Sequence, residues 1–467
     1  MDASFSDLLA RVWDATGTPA ARQPSAVTIT GPRVVLPSAF DVTGLATSAV
    51  AAATLAAAQL HAIRRSAAVA PVMLDSIEAC AAFGAETLFT PIGWELPPLW
   101  DPIAGIYRTA DGWIRLHTNY AHHRAAVHER LGAEDREGVR AAVADRPAEE
   151  VEHGIVAAGG AAAVMHSRAE WLASAAGRAT LDTPLFTIEE RDGIAPIGWS
   201  KTSATLPFSG VRVLDLTRVI AGPTCTKFLA AYGADVLRVD PPGFEEVAAL
   251  LPETTVGKRT AALDLTAPEG RAVFEGLTRD ADVIVVGYRA DALARLGYDD
   301  ACLASLNPGL ITARLNAYGW DGPWRNRRGF DSLVQMSCGI AADGAAAYDR
   351  DEPTPLPVQA LDHATGWLLA ATVARALARQ LTAHASTHIK ASLIGTANLL
   401  YGMAPPDDPL VAAKQPAIAV EHTLTEWGPA QRAVLPGHID GIRPHWTWPA
   451  GPLGRHPARW EGRPRAS

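Results

Sequence analysis

"VRVLDLTRVIAGPTCTKFLAAYGADVLRVD", residues 211–240, carries two strand-like runs around one helix-like run. "VRVLDLT" (211–217), rich in Val and Leu, reads as a strand. "GPTCTKFLAAYG" (222–233) predicts a helix, with Pro223 suited to its first turn and Gly233 to its stop. "DVLRVD" (235–240) is the second strand. The alternation continues downstream. "APEGRAVFEGLTRDA" (267–281) reads as a helix, "DVIVVGY" (282–288) as a strongly apolar strand, and "LITARLNAYG" (310–319) as another strand after "DALARLG" (291–297). Strands separated by helices imply an α/β fold with a doubly wound parallel sheet. Ligands of such sheets bind beyond the carboxyl ends of the strands, so the loops 217–223, 240–260, 287–295 and 316–330 are the places to look for a site.

The flanks read differently. A helix pair spans about 41–88, and "PLWDPIAGIYRTADGWIRLHTN" (98–119) reads as a hairpin turning at Ala110-Asp111-Gly112. The predicted organisation is a helical connecting segment (1–97), a small α+β domain (98–183), a proline-spaced linker (184–207), the sheet domain (208–400) and an irregular tail (401–467). The chain also echoes itself. "LPSAFDVTGLATSAVAAATLAAAQLHAIRR" from Leu36 and "LPVQALDHATGWLLAATVARALARQLTAH" from Leu356 share Leu-Pro, an Asp, a Gly and an Ala-rich run. A duplicated unit is expected.

Composition narrows the function class. With 467 residues, 48% hydrophobic and 19% charged, the chain suits a globular protein with a substantial core. Its formal charge of −9 argues against nucleic acid or an anionic membrane as partner. "MDASFSDLLARVWDA" has acids where a secretory leader would have a basic start. The apolar stretch around Thr47–Leu60 is too short and weakly apolar to span a bilayer, so a buried helix is expected. Cys80, Cys225, Cys302 and Cys338 show no paired spacing, which fits a reducing cytoplasm and predicts neither a disulfide framework nor a metal site.

Among sites of known chemistry, G-x-G-x-x-G after the first strand, G-x-x-x-x-G-K-[ST], H-E-x-x-H, C-x-x-C and G-x-S-x-G are all missing. What the first strand does offer is "TRVIAGP", a turn opening a helix, where free amides can face an anion. Arg218 stands in it. Further cations follow at Lys258, Arg259, Arg289, Arg295, Arg325, Arg327 and Arg328. Cations at strand ends suit a ligand with several phosphates. Arg218, Lys258 and Arg259 are expected to touch it, and Arg289 and Arg325 to be solvated.

These residues carry a resemblance. "FSGVRVLDLTRVIAGPTCTKFLAAYGADVLRVDPPG", "GKRTAALDLTAPEGR", "DADVIVVGYRADALARLGYD", "NPGLITARLNAYGWDGPW", "GFDSLVQMSCGI" and "VQALDHATGW" resemble, in order, the class III coenzyme A transferases, the family of formyl-CoA and carnitine-CoA transferases and their racemase relatives. The likeness runs from about 208 to 400 and implies a Rossmann-like sheet domain. It implies CoA transfer from an acyl-CoA to a carboxylic acid through an aspartyl-CoA thioester, with Asp362 as nucleophile and CoA as substrate rather than as a tightly bound cofactor. It places Arg218, Val219, Ala221, Asp240, Lys258, Arg259, Tyr288 and Arg295 around the coenzyme. Racemase relatives carry a His where this chain has Phe330, and Phe cannot exchange protons, so a transferase is expected before an acyl-CoA racemase or isomerase. Local sequence also allows Asp362 to be a plain helix cap, and a non-catalytic CoA-binding subunit is the other alternative. The small domain precedes the sheet domain here, whereas in the family it follows. A homodimer or a self-contained monomer is therefore expected.

Overall fold

A computed structural model describes residues 3–17, 27–181, 183–193, 205–413 and 418–462. Its centre is a seven-stranded sheet. The strands in chain order are β1 (Phe186–Arg191), β2 (Arg212–Leu216), β3 (Asp235–Asp240), β4 (Lys258–Ala262), β5 (Val283–Val286), β6 (Ile311–Asn316) and β7 (Ser386–Ser392). Their spatial order is β4-β3-β2-β5-β6-β7-β1. Every neighbouring pair is parallel except β7 with β1. The chain moves outward from β2 to β4, then returns to β5 on the other side of β2. That reversal makes the sheet doubly wound and opens a crevice at the β2/β5 strand ends.

Alternation along each strand builds two cores. Val213, Val283 and Val285 join the larger core with the helices Val42–Arg65 and Ala360–Ala383. Leu214, Leu216, Ile284 and Val286 face the opposite core with Phe274 and Leu303. Strands covered on both faces need the near-continuous apolar runs seen at 211–216 and 283–286.

Two stretches depart from the expectation. Residues 186–191, read as linker, pair antiparallel with β7 from Ala391↔Phe186 to Ser386↔Arg191. The burial pattern of "FTIEER" half-hides its periodicity, because an edge strand has one polar side. Residues 194–204 of that linker lie outside the described residues. Lys258–Ala262, placed in a loop by its charges, is strand β4, parallel to β3. Its outer edge is closed by the tail: His456 N–H donates to Thr260 O at 2.7 Å, and Thr260 N–H donates to His456 Nδ1 at 3.0 Å. The tail is also less irregular than expected. Val420–Thr425 and Gly428–Ala433 form a hairpin, extended by Thr90–Pro91.

The small domain has its own three-stranded antiparallel sheet, Gly105–Arg108, Trp113–Leu116 and Ala162–Val164, packed on helices through Tyr107, Leu116, Val127, Val139 and Ile155. Its hairpin turns where Thr109 N–H meets Gly112 O.

The internal echo has a structural counterpart. The Val42–Arg65 and Ala360–Ala383 helices each have 24 residues, and each ends on a left-handed cap, Ser66 at φ 51 and His384 at φ 53. Each is followed by a strand that runs directly into a helix: Val72–Asp75 into Ser76–Phe83, and β7 into Leu393–Tyr401. The Val42–Arg65 helix is long and apolar enough to cross a membrane, but it is almost wholly buried within the protein.

Candidate functional site

A cavity of about 460 Å³ opens at the β2/β5 strand ends, the point where the winding reverses. Arg218, Val219 and Ala221 line it from the turn after β2, Asp240 and Phe244 from the loop after β3, and Tyr288 and Arg289 from the loop after β5. Asp362 closes one side. Tyr120, His122 and His123 come from the small domain.

The turn after β2 is built by tight packing. Val219 holds φ 63, a conformation that a β-branched residue rarely adopts. Its N–H donates to Glu246 Oε2 at 3.1 Å. A Cβ on Gly366 would lie 2.3 Å from Ala221 O, so only glycine lets the Ala360–Ala383 helix approach this closely. Gly366 lies one helical turn beyond Asp362. This contact therefore brings the carboxylate to the turn.

Asp362 does not cap its helix. The capping position is Gln359, which makes no side-chain cap bond, and Asp362 lies in the first turn beyond it. The cap comes from another helix: Asp331, at the start of Asp331–Ser337, accepts the Asp362 N–H at 2.9 Å. Gln335 holds the other Asp331 oxygen and accepts Leu356 N–H at 2.7 Å. Asp41 behaves as expected of a cap, accepting Gly44 N–H at 2.7 Å and pairing with Arg33 at 2.9 Å. The sequence echo aligns Asp41 with Asp362, but the helix geometry aligns Asp41 with Gln359. The two aspartates thus sit one turn apart in their helices, and only Asp362 reaches a cavity.

At a helix start the dipole and the free amides favour an ionised carboxylate. At Asp362, burial instead pushes the carboxyl well above the usual carboxylate range, and the Asp331 and Glu86 carboxylates push it the same way. Asp331 is raised to about 6, chiefly by burial, against the pull of the amides and Gln335. His363 points away from the cavity, with Nε2 3.0 Å from Glu86 and its ring stacked on Phe83.

Arg218 lies over the Phe244 ring at 3.6 Å and the Tyr288 ring at 4.8 Å, 3.6 Å from Asp240. Three expected contacts are not in the cavity wall. Lys258 is fully buried, ion-paired to Asp215 at 3.0 Å, and burial pushes its ammonium down to about 8. Arg259 is bound to Asp235 at 2.7 Å and to the Arg459 carbonyl at 2.7 Å. Arg295 is exposed and pairs with Asp291 within its own short helix at 2.8 Å. The first two follow from Lys258–Ala262 being a strand in the sheet rather than a loop at its rim. In the opposite direction, Arg289, expected to be solvated, lines the cavity with Arg328. Neither has a carboxylate partner among the described residues, and burial first, then the Arg289 and Arg295 charges, lower the Arg328 guanidinium. Arg327 is occupied by Glu152 at 2.7 Å.

The small-domain wall escaped sequence reasoning. Tyr120 donates to Glu246 at 2.7 Å, tying that domain to the sheet. Phe330 stacks on His117 at 3.6 Å between centroids. The adjacent histidines in "NYAHHRAAV", at a helix start, were the available signal.

With this geometry in place, the chain's likenesses to known proteins can be set beside it. Residues 208–431 match CoA-transferase family III. The chain is 32% identical over 244 residues to the acetyl-coenzyme A transferase nodX of Hypoxylon pulicicidum, covering 50% of this chain and 41% of that protein. It is 32% identical over 206 residues to the succinate–glutarate CoA-transferase of Agrobacterium fabrum, covering 40% of this chain and 51% of that one. The crystal structure of Rv3272 from Mycobacterium tuberculosis is similar at 30% identity over 42% of this chain and 57% of its own, with a TM-score of 0.38. The chain spans about half the length of the curated relatives it matches. The likeness to CoA-transferase family III thus runs through the sheet domain and the segment that carries Asp362.

Proposed function

We propose that this protein moves coenzyme A from an acyl-CoA to a carboxylic acid, with Asp362 as nucleophile and the coenzyme bound only as substrate. The observation that carries this reading is a carboxylate 7% exposed, in the wall of a cavity at the sheet's switch point, with Arg289 and Arg328 in the same wall and without a carboxylate partner among the described residues. The two guanidiniums and Arg218 suit phosphates, and the Phe244 and Tyr288 rings suit a flat heterocycle.

In the proposed reaction an Asp362 oxygen attacks the thioester carbonyl, the C–S bond breaks, and CoA leaves as thiolate. The thiolate then attacks the aspartyl carbonyl of the mixed anhydride and releases the donor carboxylate, which leaves Asp362 as a CoA thioester. The acceptor carboxylate attacks that thioester and expels the thiolate again. The thiolate takes the acyl group from the new anhydride, and the Asp362 carboxylate is restored. No water enters, which is why burial of Asp362 suits the chemistry. Its raised pKa reflects the same seclusion.

Epimerisation in this fold would need a second proton carrier facing Asp362. Phe330 cannot serve, and burial holds His123 near a pKa of about 3, too weak a base to take a proton from carbon.

Incubation with a panel of acyl-CoAs, followed by intact mass measurement, is expected to show a CoA adduct that Asp362→Ala abolishes. CoA binding with no adduct from any donor would instead make the chain a non-catalytic binding subunit, and deuterium uptake at the α-carbon would make it an isomerase.

A further inference from the structure

His123 is 2% exposed, lines the cavity, and has no hydrogen-bond partner for Nδ1 or Nε2 among the described residues. A neutral imidazole carries one donor and one acceptor, and leaving both buried and unpaired is costly. Buried polar groups are paired in the great majority of cases, so an exception in a cavity wall points to a ligand.

The ligand atom can be placed along the cavity. His122 and His123 start the same helix, Ala121–Leu131, with ring centroids 4.1 Å apart, and both feel Arg328, but only His123 is buried. His122 is exposed and feels Arg328, Arg218 and Arg289. His123 meets the Phe330 ring edge-on at 5.7 Å. The residue after Phe330 is Asp331, whose carboxylate holds the Asp362 N–H at 2.9 Å. His123 therefore lies in the stretch of wall between Arg328 and the Phe330–Asp362 side, and on the transferase reading the acyl group would run past it.

We propose that His123 hydrogen-bonds an uncharged oxygen on the acyl chain, so that the site selects hydroxyacyl or oxoacyl groups over plain alkyl chains. The inference rests on the transferase reading for where the acyl group lies. A second carboxylate on the chain fits less well, because Asp362 and Asp331 already crowd that side with acid groups. An alkyl chain would leave the imidazole buried and unpaired. Sites built to bond a substrate oxygen reject the analogue lacking it far more strongly than apolar pockets discriminate by size.

Equilibrium binding to Asp362→Asn, which cannot form the adduct, tests this without turnover. The probes are 3-hydroxybutyryl-CoA, acetoacetyl-CoA, butyryl-CoA, succinyl-CoA and free CoA. The hydroxyacyl or oxoacyl probe is expected to bind at least about tenfold tighter than butyryl-CoA. Adding His123→Phe is expected to bring that ratio close to one, and His123→Gln, which keeps a donor and an acceptor, to retain part of it. A merely structural role for His123 would shift all the probes together. Thermal unfolding of each variant establishes that it is folded. Equal binding of the acyl probes, or tightest binding of succinyl-CoA, overturns this inference and leaves the transferase reading standing. No binding of any probe, free CoA included, overturns both.

Discussion

Asp362 and Asp331 divide two jobs that one aspartate at a helix start could have done alone. Asp331 satisfies the helix amides from outside the helix, and this frees Asp362 for the cavity. Both folded pKa values lie above the unfolded value of 3.8. For such groups the folded state binds protons that the unfolded state does not, so their stabilising share is full below about 3.8 and is lost as pH rises through the folded values. Asp362→Asn is therefore expected to be more stable than the wild type at pH 7–8, by about 1–3 kcal/mol, with the advantage shrinking toward pH 4. Thermal melts across that range check it, and a variant less stable than wild type at pH 8 would contradict it. In the proposed reaction Asp362 must be ionised to attack, so the adduct-forming rate is expected to rise with pH over a limb displaced above the usual carboxylate range. Stopped-flow release of CoA thiol measures that limb. At this scale sequence reasoning was uneven. Arg218, Val219, Ala221, Asp240, Tyr288 and Asp362 line one cavity, whereas Lys258, Arg259 and Arg295 do not. A strand end can be found from periodicity, but which face a charge takes depends on the partners it meets.

Among the elements, the long Ala360–Ala383 helix acts as a positioning device. Gly366→Ala would set a Cβ against Ala221 O, and the clash is expected to cost about 1–3 kcal/mol and to slow adduct formation, because the helix must back away from the β2 turn. A melt and a single-turnover assay on the same sample separate the two effects. Unchanged adduct kinetics would mean that the approach at Ala221 does not set Asp362. The β4 edge shows how a strand of charged residues stays buried. Lys258 and Arg259 are ion-paired inward, and the tail seals the outer edge through His456. His456→Ala removes the acceptor for Thr260 N–H and should lower stability by about 1 kcal/mol, read as a shift in the denaturant midpoint. The long strands and helices were legible because their apolar runs are continuous. Strands β1 and β4 were not, since their burial comes from neighbours distant in sequence.

On the scale of the molecule, one chain supplies both walls of the cavity, although the small domain precedes the sheet domain. Glu246 joins them: it accepts from Tyr120 at 2.7 Å, pairs with Arg238 at 3.0 Å and holds the Val219 N–H. Tyr120→Phe breaks only the first of these bonds, and acyl-CoA affinity is expected to fall about threefold to thirtyfold as the small-domain wall loosens. Calorimetric titration measures it, and unchanged affinity would mean that the wall is held elsewhere. From the sequence alone came the doubly wound sheet, the small-domain hairpin and the repeated helix, because each is written in local periodicity or in short motifs within one segment. The tertiary structure alone decided that Asp331 caps the helix of Asp362, that Arg289 and not Lys258 faces the cavity, and that His123 closes it. Those outcomes depend on burial and on charges brought together from distant parts of the chain, and pairing across space leaves no period in the sequence.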